Sequence, residues 1–241
     1  MGGLEDAGDR RTLGSQLGLG GRMPSTLADS AALGRGPLSP CGRAVVDHHK
    51  RALLIAPRLT AVVRSAAFGS HEGRLRDLEH RVKSLASLLR KVRDDCLELD
   101  LSPDDAIERI RDGIRYTVEF ECETFTFDVA RFRGILLEQG VLCTKQMNMF
   151  VEGNRYMAVH DELRTDGAFP FEVQYHTEES LAAKRWSSPL YKVVRDVNAP
   201  LEDRLAAYDT IVAWTRDNVT IPERAFLLGK DKRTTRPAPR L

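Results

Sequence analysis

The sequence predicts an α+β fold, a mixed and mostly antiparallel sheet flanked by helices. Three observations carry this. Residues 113–120 alternate, with Ile114, Tyr116, Val118 and Phe120 on one side and Arg115, Thr117 and Glu119 on the other. Residues 169–176 do the same, setting Phe169, Phe171, Val173 and Tyr175 against Glu172, Gln174 and His176. Around these stretches apolar residues recur three and four positions apart, the period of a helix with one buried face.

Taken in order, a first helix spans about 44–67 and stops at the break Gly69-Ser70-His71-Glu72-Gly73. A second is expected over 74–96, because Leu75, Leu78, Val82, Leu85, Leu89 and Val92 form one apolar stripe. Ser102 followed by Pro103, Asp104 and Asp105 is a helix start, Ser102 capping the free backbone N–H groups and Pro103 filling the first turn. The strand 113–120 follows, then a helix over 124–139 closed by Gly140. Strands are expected at 142–150, 156–164 and 169–176, and helices at 178–195 and 200–217.

The ends differ from this middle. Residues 1–42 hold ten of the eighteen glycines and show no sustained apolar period, so they read as a disordered arm. From Gly229 to Leu241, Lys230, Lys232, Arg233, Arg236 and Arg240 stand among prolines, which reads as a solvated basic tail able to touch RNA or acidic lipid. The folded domain is thus expected over 43–228.

Composition narrows the function. Thirty-six basic against thirty-five acidic residues leave a net charge of +1, which argues against bulk nucleic-acid binding but not against a local phosphate site. Four widely spaced cysteines with no C-x-x-C pair read as free buried thiols, and the apolar runs read as too short and interrupted for a membrane span. A cytoplasmic protein is expected, or a secreted one should a leader precede this start. The pattern G-x-x-x-x-G-K-(S/T) is absent and so is G-x-S-x-G, which weighs against a P-loop kinase and an α/β-hydrolase.

A face of Glu172, Gln174 and His176 is costly to bury, so it is either in water or at work. The run Glu172-Val173-Gln174-Tyr175-His176-Thr177 resembles the E-x-Q-(I/V)-x-T strand of RelA/SpoT-type nucleotide pyrophosphokinase (synthetase) domains. Tyr156-x-x-x-His160 resembles that family's G-Y-x-x-x-H, and Arg81 to Lys91 its R-x-K-x-x-x-S-(I/L)-x-x-K. Asp112-Gly113-Ile114-Arg115 lies where D-x-x-G-x-R belongs. Downstream, Thr177, Ser180, Lys184, Tyr191 and Arg195 extend the likeness to the small single-domain members, nucleotide 3′-pyrophosphokinases and small alarmone synthetases. There are two departures. Asp112 precedes Arg115 by three positions where the family has five, and Arg155 stands where the family has glycine.

The resemblance implies a nucleotidyltransferase-like synthetase fold that moves pyrophosphate from ATP to the 3′-hydroxyl of a purine nucleotide. In that reading Arg81, Lys83, Ser87 and Lys91, expected on one helix face, contact ATP. Glu172 and Asp112 hold Mg²⁺, Glu172 accepts the hydroxyl proton, and Arg115 contacts phosphate. Tyr156 stacks on the acceptor base, with His160 and Gln174 beside it; alternation alone leaves Tyr156 and His160 equally at home as a core pair. Two alternatives stand beside this reading: a toxic member that modifies the 3′ end of tRNA and meets an antitoxin, and a nucleotide-binding module without activity. A homo-oligomer is compatible with all three.

Overall fold

The computed structural model describes residues 39–71, 73–165 and 169–238. Of the arm expected over 1–42, all but the last four residues lie outside the described residues. Ser39 caps the first helix, its hydroxyl accepting from Gly42 N at 3.1 Å, and Pro40 occupies the first turn. Helix α1 therefore runs Pro40–Gly69. It buries Ala52, Ala56, Leu59, Val63, Ala66 and Ala67, which recur at helical spacing. Against the expectation of short apolar runs, α1 is the one helix among the described residues long and apolar enough to cross a membrane by length and composition. Its buried stripe is packed into this domain's core.

The segment 74–84 departs from the helix expected there. Arg74–Arg76 is strand β1, Leu78–His80 a single 3₁₀ turn, and α2 begins only at Leu85, running to Leu99 with Ser84 as its N-cap. Leu75, Leu78 and Val82 sit against the main core, whereas Leu88 and Val92 join a separate cluster with Val45, Ala106 and Ile110. The helical spacing of the apolar residues was accidental. Tertiary pairing satisfies the backbone instead: β1 ladders with the strand that follows, Arg115 N donates to Arg81 O at 2.7 Å, and Lys83 N donates to Gly113 O at 3.0 Å.

The remaining elements fall close to expectation. They are α3 Pro103–Glu108 capped by Ser102, β2 Arg115–Glu119, α4 Phe125–Glu138, β3 Val141–Asn148, β4 Val159–Thr165, β5 Phe171–His176, α5 Glu178–Arg195 and α6 Leu201–Asn218. Thr177 and Ser180 form a reciprocal capping box at the start of α5. Trp186 and Trp214 stack at 4.6 Å between α5 and α6.

One six-stranded sheet has the order β1-β2-β5-β4-β3-β6, where β6 is Lys230–Asp231. The β1–β2, β5–β4 and β4–β3 pairs are antiparallel; β2–β5 and β3–β6 are parallel. The architecture is α+β, with a mixed sheet and six α-helices among the described residues. Tyr116, Phe120, Phe171 and Tyr175 fill one side of the sheet with Phe125 and Phe132 of α4. Within that core Arg133 clasps Asp161 at 2.8 and 2.6 Å, and Tyr175 Oη donates to the same carboxylate at 2.9 Å.

The basic tail is held in place. β6 pairs with the end of β3, and Asn154 spans the next residues, donating to Lys232 O at 2.9 Å and accepting from Thr234 N at 2.9 Å. Tyr208 Oη reaches Thr234 O at 3.1 Å, and Arg236 pairs with Asp209 at 2.6 Å. The proline-rich, charged composition that suggested disorder is outweighed by acceptors and donors supplied from β3, the loop before β4, and α6. The four cysteines are free as expected, but none is fully buried: Cys41, Cys96 and Cys122 are half-buried and Cys143 is exposed.

Candidate active site

Because side chains alternate along strands, the residues opposite the aromatic core share the other face of the sheet. The parallel pair β2–β5 sets Arg115 beside Glu172, Thr117 beside Gln174 and Glu119 beside His176. On the far side of β5, the antiparallel β4 sets His160 beside Gln174 and Glu162 beside Glu172. The polar face is thus three strands wide, and much of it is buried.

A buried polar face must satisfy itself, and this one does. Gln174 Nε2 donates to Glu172 Oε1 at 2.6 Å, and His160 Nδ1 lies 3.5 Å from Glu172 Oε2. Lys184 Nζ donates to Gln174 Oε1 at 2.8 Å. Tyr156 does not lie in a strand as expected; it sits in the bend before β4, yet its hydroxyl meets His160 Nε2 at 2.9 Å and His176 Nε2 at 3.1 Å. Ser180 Oγ gives its proton to Thr177 O at 3.2 Å, so His176 Nδ1 donates to Ser180 at 2.9 Å and His176 Nε2 accepts from Tyr156.

Electrostatics follow from burial and neighbours. Burial pushes the Glu172 carboxyl up, but the His160 hydrogen bond and charge more than offset this and leave it below the ordinary value. Burial, reinforced by Glu172, raises the Tyr156 phenol well above the tyrosine range. Burial, with Lys184 nearby, keeps His176 neutral. Burial and the Arg115 charge bring Lys184 down to about 8.

Next to this face opens a cavity of about 350 Å³ lined by His80, Arg81, Lys83, Ser87, Arg90, Asp112, Arg115 and Arg195, together with Val82 and Ser84. Five of these are Lys or Arg and one is acidic. Asp112 is gripped by Lys83 Nζ and, at 3.0 Å, by Lys91 Nζ. Burial would raise its pKa, but the two lysines bring it down to about 2. The same burial leaves Lys83 below the ordinary lysine range despite its partner. Gly113 follows because nothing larger fits: a Cβ there would stand 2.7 Å from His48 Nε2 and 3.3 Å from the Phe169 ring.

Arg115 joins the two halves. It lines the cavity and is the register partner of Glu172, and both Arg115 and Asp112 act electrostatically on that carboxylate. The structure therefore brings Arg81, Lys83, Ser87, Asp112 and Arg115 to one cavity, with Lys91 reaching it through Asp112. Glu172, Gln174, His160 and Tyr156 form one adjoining network. The single helix face expected to carry Arg81, Lys83, Ser87 and Lys91 is corrected, since Arg81 and Lys83 precede α2. Part of Arg81 and Ser87 is structural: Arg81 Nη1 donates to Leu78 O at 2.8 Å, and Ser87 N bonds the Ser84 cap at 3.3 Å.

Arg195, Arg90, His80, His176 and Lys184 were not singled out as site residues. Alternation along β5 already carried His176. Arg195 lies in the L-Y-x-x-x-R pattern, but only the packing of α5 sets it beside Arg115.

No family model and no curated protein matches this chain. Among solved structures it is similar to a chain of the complex between the Type VI effector Tas1 and its immunity protein, at 17% identity and TM-score 0.49, covering 74% of this chain and 96% of that one. It is also similar to small alarmone synthetase 1 from Bacillus subtilis bound to its product pppGpp, at 16% identity and TM-score 0.46, covering 73% and 91%. A GTP pyrophosphokinase family protein from Streptococcus pneumoniae is similar at 14% identity and TM-score 0.46, covering 75% and 91%. The chemistry of the site rests on its own side chains.

Proposed function

We propose that this chain transfers the β,γ-pyrophosphoryl group of ATP to the 3′-hydroxyl of a purine nucleotide. The observation that carries the reading is the junction at Arg115, where a cavity lined by five cations meets a half-buried carboxylate, Glu172. Phosphoryl chemistry asks the protein mainly for charge and position, and this arrangement offers both.

In this reading Arg81, Lys83, Arg90 and Arg195 offset the triphosphate charge. Glu172 takes the proton of the 3′-hydroxyl as its oxygen bonds to the β-phosphorus. The bond between that phosphorus and the α,β-bridging oxygen breaks, and AMP leaves with the electron pair. His160 and Gln174 hold the Glu172 carboxylate oriented, and Tyr156 meets the acceptor. Mg²⁺ takes few protein oxygens, and Glu172 with Asp112 would hold it, Asp112 giving up Lys83 or Lys91, which between them engage both of its oxygens. When bound it would neutralise phosphate charge.

The test is incubation with γ-labelled ATP, Mg²⁺ and, separately, purine mononucleotides or bulk tRNA. Label on a mononucleotide supports the reading. Label on tRNA alone replaces the acceptor, and label on neither removes the activity.

A further inference from the structure

The loop before β4 holds a further cation, Arg155, that the mechanism above does not use. Arg155 follows Asn154, whose amide is buried and bonded to Met149 O, Lys232 O and Thr234 N. Its own backbone is held at both ends, N to Thr234 Oγ1 at 3.3 Å and O from Thr215 Oγ1 at 3.3 Å. The position of Arg155 is therefore set by α6, the C-terminal segment and the residue that follows β3 together.

Its side chain is treated differently from its backbone. The guanidinium lies over the Tyr191 ring, Cζ 4.2 Å from the centroid, and Arg195 approaches the same ring at 5.5 Å. Arg155 Nε is buried without a hydrogen-bond partner, and among the described residues no carboxylate lies within ion-pair distance. Arg133, by contrast, is held by the Asp161 carboxylate. An arginine placed over an aromatic ring instead has no carboxylate committed to its donors, whose fork geometry matches a phosphate.

Two neighbours say which phosphate. Arg195, on the same ring, lines the cavity assigned above to the donor. Arg155 is next in chain to Tyr156 and acts on it electrostatically. Resting on the reading of the site as a pyrophosphate transferase, we infer that Arg155 binds the 5′-phosphate group of the acceptor, so that this chain selects phosphorylated nucleotides over nucleosides. Tyr191 serves as the platform shared by the acceptor's arginine and the donor's.

The test is calorimetric binding, with the donor cavity filled by a non-hydrolysable ATP analogue. Guanosine, GMP and GDP, and the adenosine series, are titrated into the parent, Arg155→Ala and Arg155→Lys. The parent should bind the diphosphate about tenfold or more tightly than the nucleoside, the range for hydrogen bonds to charged groups. Arg155→Ala should erase most of that ratio while leaving nucleoside affinity within about twofold, and Arg155→Lys should fall between, because an ammonium keeps the charge but not the fork. Equal loss for nucleoside and diphosphate in Arg155→Ala, or a parent indifferent to the phosphates, overturns the assignment. Phosphate-dependent binding lost in Arg155→Ala, in a parent that transfers no label, upholds it while removing the proposed reaction.

Discussion

Arg115 and Glu172 face each other across the parallel strands β2 and β5, and that one register pair connects a cationic cavity to the hydrogen-bonded network around the Glu172 carboxylate. A slip of one residue would turn one of the two into the aromatic core. The apolar halves of both strands prevent it, since Tyr116, Val118, Val173 and Tyr175 are buried.

Glu172→Gln should leave the fold intact and lower transfer by about 10²- to 10⁴-fold, the range for loss of a general base. The amide is isosteric and removes a charge from a site where its side chain is only 12% exposed. Labelled-ATP assays and thermal melts of the same preparation check this. Retained activity at an unchanged melting temperature would sink the role of the carboxylate.

Tyr156→Ala should cost about 1–3 kcal/mol of acceptor binding, the range for base stacking on an aromatic ring, with little change in ATP affinity. Lys91→Ala should show the opposite pattern, because Lys91 Nζ helps hold Asp112 in the cationic cavity at 3.0 Å. Titrating each nucleotide separately decides it; parallel losses in both variants would mean the two halves are not distinct subsites.

Stability in acid should report the Asp112 cluster. The folded pKa of Asp112 is about 2, below the ordinary value of 3.8, so its contribution is present above about pH 4 and lost as pH falls through 2. The shift corresponds to about 2 kcal/mol at most, reduced by the cost of burying Lys83. Urea melts at pH 5 and pH 2.5 should show a steeper loss in the parent than in Asp112→Asn. Equal slopes would refute the linkage.

Removing residues 229–241 should lower the melting temperature by several degrees and weaken acceptor binding more than ATP binding. The segment pairs with β3 and anchors Asn154, which precedes Arg155 and Tyr156. Asn154→Ala should reproduce part of the effect, as it leaves Thr234 N and Lys232 O without their partners. A truncated protein that melts and binds like the parent would mean that this segment merely rests on the surface.

Local periodicity and local caps alone determined the α+β class, the alternation of β2 and β5, the cap at Ser102, and the composition of the polar face, because each depends on residues within a few positions of one another. The misread stretch 74–84 shows the limit of this. Its apolar residues keep helical spacing, but the partners that claim its backbone, Gly113 and Arg115, lie about thirty residues away. The tail was misread for the same reason, since Asn154, Tyr208 and Asp209 hold it through contacts distant in sequence. Only tertiary structure decided that Arg195 would share a cavity with Arg115, that Lys83 and Lys91 would close on Asp112 from outside and inside α2, and that Arg155 would lie on Tyr191. Spacing along a strand or helix dictates which side chains share a face; which faces meet depends on strand order, register and helix docking, which the whole core selects at once.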